Sequence, residues 1–207
     1  MIRSVMFDFG GVLTTGPFVA FAQFEHQQGL PDGFIRKVNA TNPDSNAWAQ
    51  LERGEIDLEG FANRFEAEAV ELGHRVDGHA VLGLLSGQIR PEMVEAVRRC
   101  SDHFKTACLT NNFAAGDAPS NPQMQEIFGL FDFVLESRTA GVRKPEPLFY
   151  EMACQALDVA PSEAVFLDDL GINLKPARAM GMHTIKVIDS TQALEELTAL
   201  TGIEFAH

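Results

Sequence analysis

Asp8 follows a short apolar run, Val5-Met6-Phe7, and precedes Phe9 and two glycines, Gly10 and Gly11. The run reads as a buried strand, so the carboxylate falls at a strand's carboxyl end, where open α/β sheets place their chemistry. Other reactive side chains fall at matching places. Thr106-Ala107-Cys108-Leu109 ends in Thr110-Asn111-Asn112, Ala164-Val165-Phe166-Leu167 ends in Asp168-Asp169, and Arg143-Lys144-Pro145 follows Phe133-Val134-Leu135. In a parallel sheet these ends emerge on one edge. Carboxylates brought that close raise one another's pKa unless a cation shares them, and a hard, oxygen-liganded ion such as Mg²⁺ suits the donors. The ion, the Lys144 ammonium, the Thr110 hydroxyl and exposed backbone N–H groups together favour a phosphoryl group.

The elements that must position these residues follow from periodicity. Between residues 18 and 87 there is no strand pattern. Phe18, Phe21, Ala22 and Phe24 recur at helical spacing, Phe34, Ile35 and Val38 follow Pro31, and Asp57 reads as an N-cap before Leu58, Phe61, Ala62, Phe65, Ala67 and Val70. Residues 47–51 and 80–85 complete an all-helical insertion after the first strand. From Arg90 onward helices and strands alternate, with helices expected over 91–97, 122–130, 147–157, 172–180 and 191–200 and a last strand at Thr184-Ile185-Lys186-Val187. Short strands separated by helices imply βαβ crossovers and a parallel sheet covered on both faces. The expected architecture is an α/β, Rossmann-like three-layer core made from residues 1–15 and 89–207, with a helical cap domain at 16–88.

Composition narrows the function classes. The chain has 207 residues, 45% of them hydrophobic, and a formal net charge of −13. Nucleic acid and anionic membrane surfaces both need a basic footprint, so neither is an expected partner, whereas an anionic metabolite needs only a local positive pocket. Cys100, Cys108 and Cys154 lack metal-ligand spacing and read as reduced, buried thiols. No apolar run approaches membrane-spanning length, and the first residues read as a strand instead of a leader, which points to the cytoplasm.

The ordered set of D-x-x-G near the amino terminus, a strand-terminal threonine, Lys144-Pro145 and Asp168-Asp169 followed by Asn173 resembles the haloacid dehalogenase-like hydrolase superfamily over the whole chain. Finer stretches, residues 141–147, 166–175, 7–13 and 109–113, look like the phosphatase domain of soluble epoxide hydrolases and, more closely, the dehalogenase-like domain of acyl-CoA dehydrogenase family member ten proteins. The resemblance implies that Asp8 is a nucleophile accepting the phosphoryl group, that Thr110 and Asn111 hold phosphate oxygens, and that Lys144 orients Asp8 and offsets phosphate charge. It also implies Mg²⁺ held by Asp8, the Gly10 carbonyl and Asp169, with Asp168 and Asn173 arranged behind them. Asp169 is preferred to Asp168 because its spacing to Asn173 matches the family's more usual metal motif.

One position departs from the pattern. Most phosphatases of the superfamily carry a second aspartate, two residues after the nucleophile, as general acid and base; here that residue is Gly10. Losing such help typically costs about 10²- to 10⁴-fold. The reading is a Mg²⁺-dependent phosphatase of a small phosphorylated metabolite. The alternative is a catalytically weak protein that binds a phosphorylated ligand or a protein partner. A 2-haloacid dehalogenase fits less well, because dehalogenases of the superfamily use no metal and lack the paired acids. His26, on the first helix of the insertion, is a candidate stand-in for the missing acid. Trp48, Phe34, Phe61 and Phe65 are expected in the cap's own core before any pocket mouth.

Overall fold

The computed structural model describes residues 1–111 and 122–205. Five parallel strands form one sheet: β1 (Ser4–Phe7), β2 (Lys105–Thr110), β3 (Phe133–Glu136), β4 (Ala164–Asp168) and β5 (His183–Lys186). They lie in the order β3-β2-β1-β4-β5. The chain therefore builds outward from β1 to β3, then returns to the other side of β1 with β4. The gap between β1 and β4 is the topological switch point, where sheets of this kind open a crevice for ligands.

Alternation along the strands explains why the central ones are largely apolar on both faces. Val5, Phe7, Cys108, Val165, Leu167 and Ile185 face one helical layer, against α6 (Pro91–Ser101) and α11 (Ser190–Thr201). Met6, Ala107, Leu109, Leu135 and Phe166 face the other, against α9 (Pro147–Leu157) and α10 (Gly171–Ala179). A strand with both faces covered has no solvent side to make polar. Two shorter helices, α7 (Pro122–Phe128) and α8 (Ser137–Ala140), flank β3. The expected three-layer α/β core is present, with most element ends within a residue or two of the periodicity.

Between β1 and α6 the chain forms five helices: α1 (Phe18–Gln28), α2 (Phe34–Ala40), α3 (Ala47–Glu52), α4 (Leu58–Glu71) and α5 (Gly78–Gly83). They enclose a separate hydrophobic cluster that includes Phe21, Phe34, Ile35, Leu51, Phe61, Phe65 and Val81. Trp48 packs at its margin, 4.8 Å from the Phe61 ring centroid. Phe34, Phe61 and Phe65 fill the insertion's interior. Asn46 and Asp57 cap α3 and α4, accepting from the Ala49 and Gly60 backbone N–H groups at 2.9 and 2.8 Å.

The outgoing and returning segments pair with each other. Thr15 N–H donates to the Gln88 carbonyl (2.8 Å), Arg90 N–H to the Leu13 carbonyl (2.8 Å), and Thr14 and Ile89 form an antiparallel bridge. Gly87 is obligatory in this pairing, since a Cβ there would lie 2.3 Å from the Thr15 carbonyl oxygen. Gly87→Ala is expected to cost about 1–3 kcal/mol by overpacking and to lower Tm by at least about 2 °C, read by thermal denaturation.

Candidate active site

The parallel register fixes which side chains meet. Phe7 pairs with Cys108 on one side and Leu167 on the other. One residue further, Asp8 is level with Asp168, and its N–H donates to the Leu167 carbonyl at 2.8 Å. Thr110 ends β2 on the opposite flank and is buried. Lys144 enters from the loop before α9, with only 1% of its surface exposed. Its Nζ lies 2.7 Å from Asp8 Oδ1 and 2.8 Å from Asp168 Oδ2. The expectation that Asp8, Lys144, Thr110 and the paired acids gather on one sheet edge holds.

The two oxygens of Asp168 are fully occupied. Oδ1 accepts from Leu170 N–H at 2.8 Å, Oδ2 accepts from Lys144, and Asn173 Nδ2 reaches both at 3.0 and 3.1 Å. Tyr150 Oη donates to the Asn173 carbonyl at 2.7 Å and so steadies the start of α10. Asp168 is thus a rigid, buried anchor for Lys144. Asp169 is less enclosed and lies against the turn after β1. Gly11, with φ of +81°, approaches so closely that a Cβ would sit 2.3 Å from Asp169 Oδ2. No other residue type both adopts that backbone and leaves that space.

Asp8 Oδ1 accepts from Lys144 and from the Phe9 N–H at 2.6 Å. Among the described residues no hydrogen-bond donor reaches Oδ2, so that oxygen is the one available to a ligand. Burial pushes the Asp8 carboxyl well above its ordinary pKa; Lys144 pulls it back, and the Asp168 charge adds to the rise. Asp169 is pushed to about 6 by burial and then by Asp168. Burial acts to depress the Lys144 ammonium, yet Asp168 and Asp8 override it and hold it above the usual lysine value. A single ammonium thus faces three carboxylates, and ligand oxygens of Asp8, Asp168 and Asp169 come within 4.8 Å of one another. All-oxygen donors with excess negative charge fit a hard divalent cation.

Asn111 behaves differently from a simple phosphate ligand. Its Oδ1 accepts from Lys144 N–H at 2.9 Å, while Nδ2 donates to the Lys144 carbonyl at 2.9 Å and to Glu52 Oε2 at 3.3 Å. The side-chain amide therefore clamps the main chain of Lys144. Asn112 and Phe113 lie outside the described residues. Gly10 is exposed and extended (φ −71°, ψ 127°), and a Cβ there would meet no described atom within 4 Å.

His26 projects from the exposed face of α1 into a groove of about 530 Å³ that it shares with Phe18, Val19, Ala22, Gln23 and Gln27. It sits at the groove's far end, about 12 Å along the helix from Phe18 at 1.5 Å per residue. The near end adjoins the acids, because a Cβ at Gly16 would be 3.6 Å from Asp169 Oδ2 and 3.7 Å from the Phe18 ring.

Sequence reasoning missed Glu52, the last residue of α3. Its Oε2 lies 2.7 Å from Arg143 Nη1, and 15% of its side chain is exposed. Burial raises its carboxyl to about 7, against the pull of Arg143 and Lys144. Helical spacing gives no reason to send a charged helix-end residue into the sheet edge; the only cue was Gly54 just beyond it.

A family model described as haloacid dehalogenase-like hydrolase matches residues 2–181. The chain belongs to this family of hydrolases. Mouse acyl-CoA dehydrogenase family member 10 is 38% identical over 97% of the chain. Sesquiterpene phosphatase astK of Aspergillus oryzae is 29% identical over 97% of each protein. The chain spans 19% of the mouse relative and 39% of bifunctional epoxide hydrolase 2 of Sus scrofa, another relative. Among solved structures, the family enzyme bt-2542 of Bacteroides thetaiotaomicron, in complex with magnesium and inorganic phosphate, superposes with a TM-score of 0.60 at 20% identity, over 89% of this chain and 93% of that one. No helix among the described residues is long and apolar enough to cross a membrane.

Proposed function

We propose that this hydrolase is a Mg²⁺-dependent phosphatase that takes the phosphoryl group of a small phosphorylated metabolite onto Asp8. The observation that carries the reading is the buried Lys144 bridge, 2.7 Å to Asp8 Oδ1 and 2.8 Å to Asp168 Oδ2, which engages one Asp8 oxygen and leaves the other for a ligand. Asp8, the Gly10 carbonyl and Asp169 would hold Mg²⁺, with Asp168 and Asn173 behind them; when bound, the ion neutralises carboxylate and phosphoryl charge.

Lys144 fixes Oδ1 and pulls the Asp8 carboxyl back toward its ionised form against the effect of burial. Oδ2 attacks phosphorus, the bond from phosphorus to the ester oxygen breaks, and its electron pair leaves with that oxygen. Thr110 Oγ1 and the Asn111 N–H hold the phosphoryl oxygens as charge shifts among them. Water then attacks the aspartyl phosphate, releasing inorganic phosphate and restoring the carboxylate. Gly10 supplies no proton to the departing alkoxide, so leaving groups of low pKa are favoured. Residues 16–88 serve as a cap over this edge. The face of α1 beginning at Phe18 is partly apolar, with the Arg36 guanidinium 4.9 Å from the Phe18 ring, which suits a partly apolar organic body. The relative named as a sesquiterpene phosphatase matches along its full length and supports this choice. Three buried free thiols, Cys100, Cys108 and Cys154, suit the reducing cytoplasm.

A phosphometabolite screen with Mg²⁺, using Asp8→Asn as the blank, tests the reading. Wild type is expected to release phosphate above the blank, and EDTA is expected to abolish the difference. Equal release on every compound would leave the second reading, a weakly catalytic phospho-ligand binder, which the bare Gly10 favours. Halide release that survives EDTA would revive the dehalogenase.

A further inference from the structure

The Lys144 main chain is held by Asn111, and Asn111 is held in turn by a residue from the helical insertion. Glu52 leaves the end of α3 and contacts both Asn111 Nδ2 at 3.3 Å and Arg143 Nη1 at 2.7 Å. Arg143 extends the connection, donating through Nη2 to the Pro43 carbonyl at 2.7 Å and through Nη1 to the Lys144 carbonyl at 3.4 Å. The Glu52 carbonyl accepts from Ser137 Oγ at 2.6 Å. Gly54, with φ of +73°, packs against Arg138, where a Cβ would fall 2.9 Å from Cγ and 3.2 Å from the backbone oxygen. One turn of the insertion is therefore seated on the loop that carries Lys144. Glu52 is the side chain at its centre.

We propose that Glu52 is a positioning residue for the reaction: it couples the seating of residues 43–54 to the placement of Lys144 through Asn111 and Arg143. The inference rests on the phosphatase reading for its kinetic test but not for its structural one. Asn111 has two N–H donors, one on the Lys144 carbonyl and one on Glu52. An ionised Glu52 accepts strongly from both Asn111 and Arg143; a protonated one loses the charge on both bonds. Lys144 follows, because its N–H and carbonyl are both fixed by the Asn111 amide. A small shift of Lys144 displaces Asp8 Oδ1 with it, and misplacement on the order of 1 Å can cost about 10²-fold in rate.

The charged groups facing Glu52 are known from each element packed on it. Arg143 and Lys144 come from the loop before α9, and Arg53 from its own turn, itself paired with Glu55 and with Glu146 at 3.5 Å. Arg138 lies on α8 beside Gly54. Despite the surrounding cations, burial leaves the Glu52 carboxyl titrating near 7. The clamp is therefore tight above neutrality and slack below it.

Glu52→Gln fixes the neutral form with nearly the same shape. At pH 8 it is expected to lower kcat about tenfold, the scale of one charge-assisted hydrogen bond, with KM moving less than about threefold. At pH 6 it is expected to stay within about twofold of wild type. Glu52→Asp retains the charge and is expected to keep part of the step near neutrality. Parallel kcat profiles for wild type and Glu52→Gln, or a change confined to KM, would overturn the proposal. A readout without substrate separates it from the phosphatase reading. The Asn111 side-chain amide resonance in ¹H–¹⁵N spectra is expected to shift with a midpoint near pH 7 in wild type and to stay flat in Glu52→Gln. The same titration in both proteins would sink the coupling whether or not the protein releases phosphate.

Discussion

Asp8→Asn is expected to abolish phosphate release, by about 10⁴-fold or more, while the protein remains folded. The scale is that of losing a covalent nucleophile that acts as a unit with its neighbours. An amide oxygen in the place of Oδ2 is a far weaker nucleophile than a carboxylate. Folding should survive for reasons visible in the site. Lys144 keeps Asp168 at 2.8 Å, so its buried ammonium retains a counter-charge. Asp8 itself is held above its ordinary pKa by burial, so the fold loses little when its charge is removed. Steady-state kinetics on the best screened ester, alongside far-UV circular dichroism and Tm, checks both halves. Substantial residual turnover, above about one per cent of wild type, would show that phosphoryl transfer runs through another group.

Gly10→Asp carries the second large effect, and it is a gain. Position 10 has ordinary extended backbone, with φ of −71°, so a Cβ adds no strain. Among the described residues nothing lies within 4 Å of that Cβ, so the side chain has room. A carboxyl there stands beside the nucleophile and can protonate the leaving oxygen, then take a proton from the water that resolves the aspartyl phosphate. The expected increase in kcat is about 10²-fold for alkyl phosphates, within the usual range for general acid–base help. For aryl or acyl phosphates, whose leaving groups need no proton, it should be less than about fivefold. A plot of log kcat against leaving-group pKa should be steep in wild type and flatter in the variant. Equal slopes would mean that proton supply does not limit the reaction.

How much of this was legible beforehand depends on what each residue's position relies on. Asp8, Thr110, Lys144 and Asp168 were readable because strand ends in a parallel sheet share an edge, and short apolar runs mark those ends. The choice between Asp168 and Asp169 rested on spacing alone; the structure adds a physical ground, since hydrogen bonds use both oxygens of Asp168. Asn111 was legible in place but not in action, because nothing in a sequence shows that its side chain is spent on the Lys144 main chain. Glu52 was invisible for a different reason. Its partners lie 59 and 91 positions away, and the contact depends on how the insertion docks, which no local pattern encodes. The helical insertion itself was easy to see, since Phe61, Ala62 and Phe65 repeat with the helix and are buried together.

The paired segments at Thr14–Thr15 and Gln88–Arg90 have a consequence for ancestry and engineering. Because the insertion departs and returns through adjacent hydrogen-bonded chains, its two ends are as near as those of a β-hairpin. A segment so closed can be spliced out, shortened or exchanged without moving any strand of the sheet out of register. Glu52 is the point at which a transplanted insertion must still match its new host.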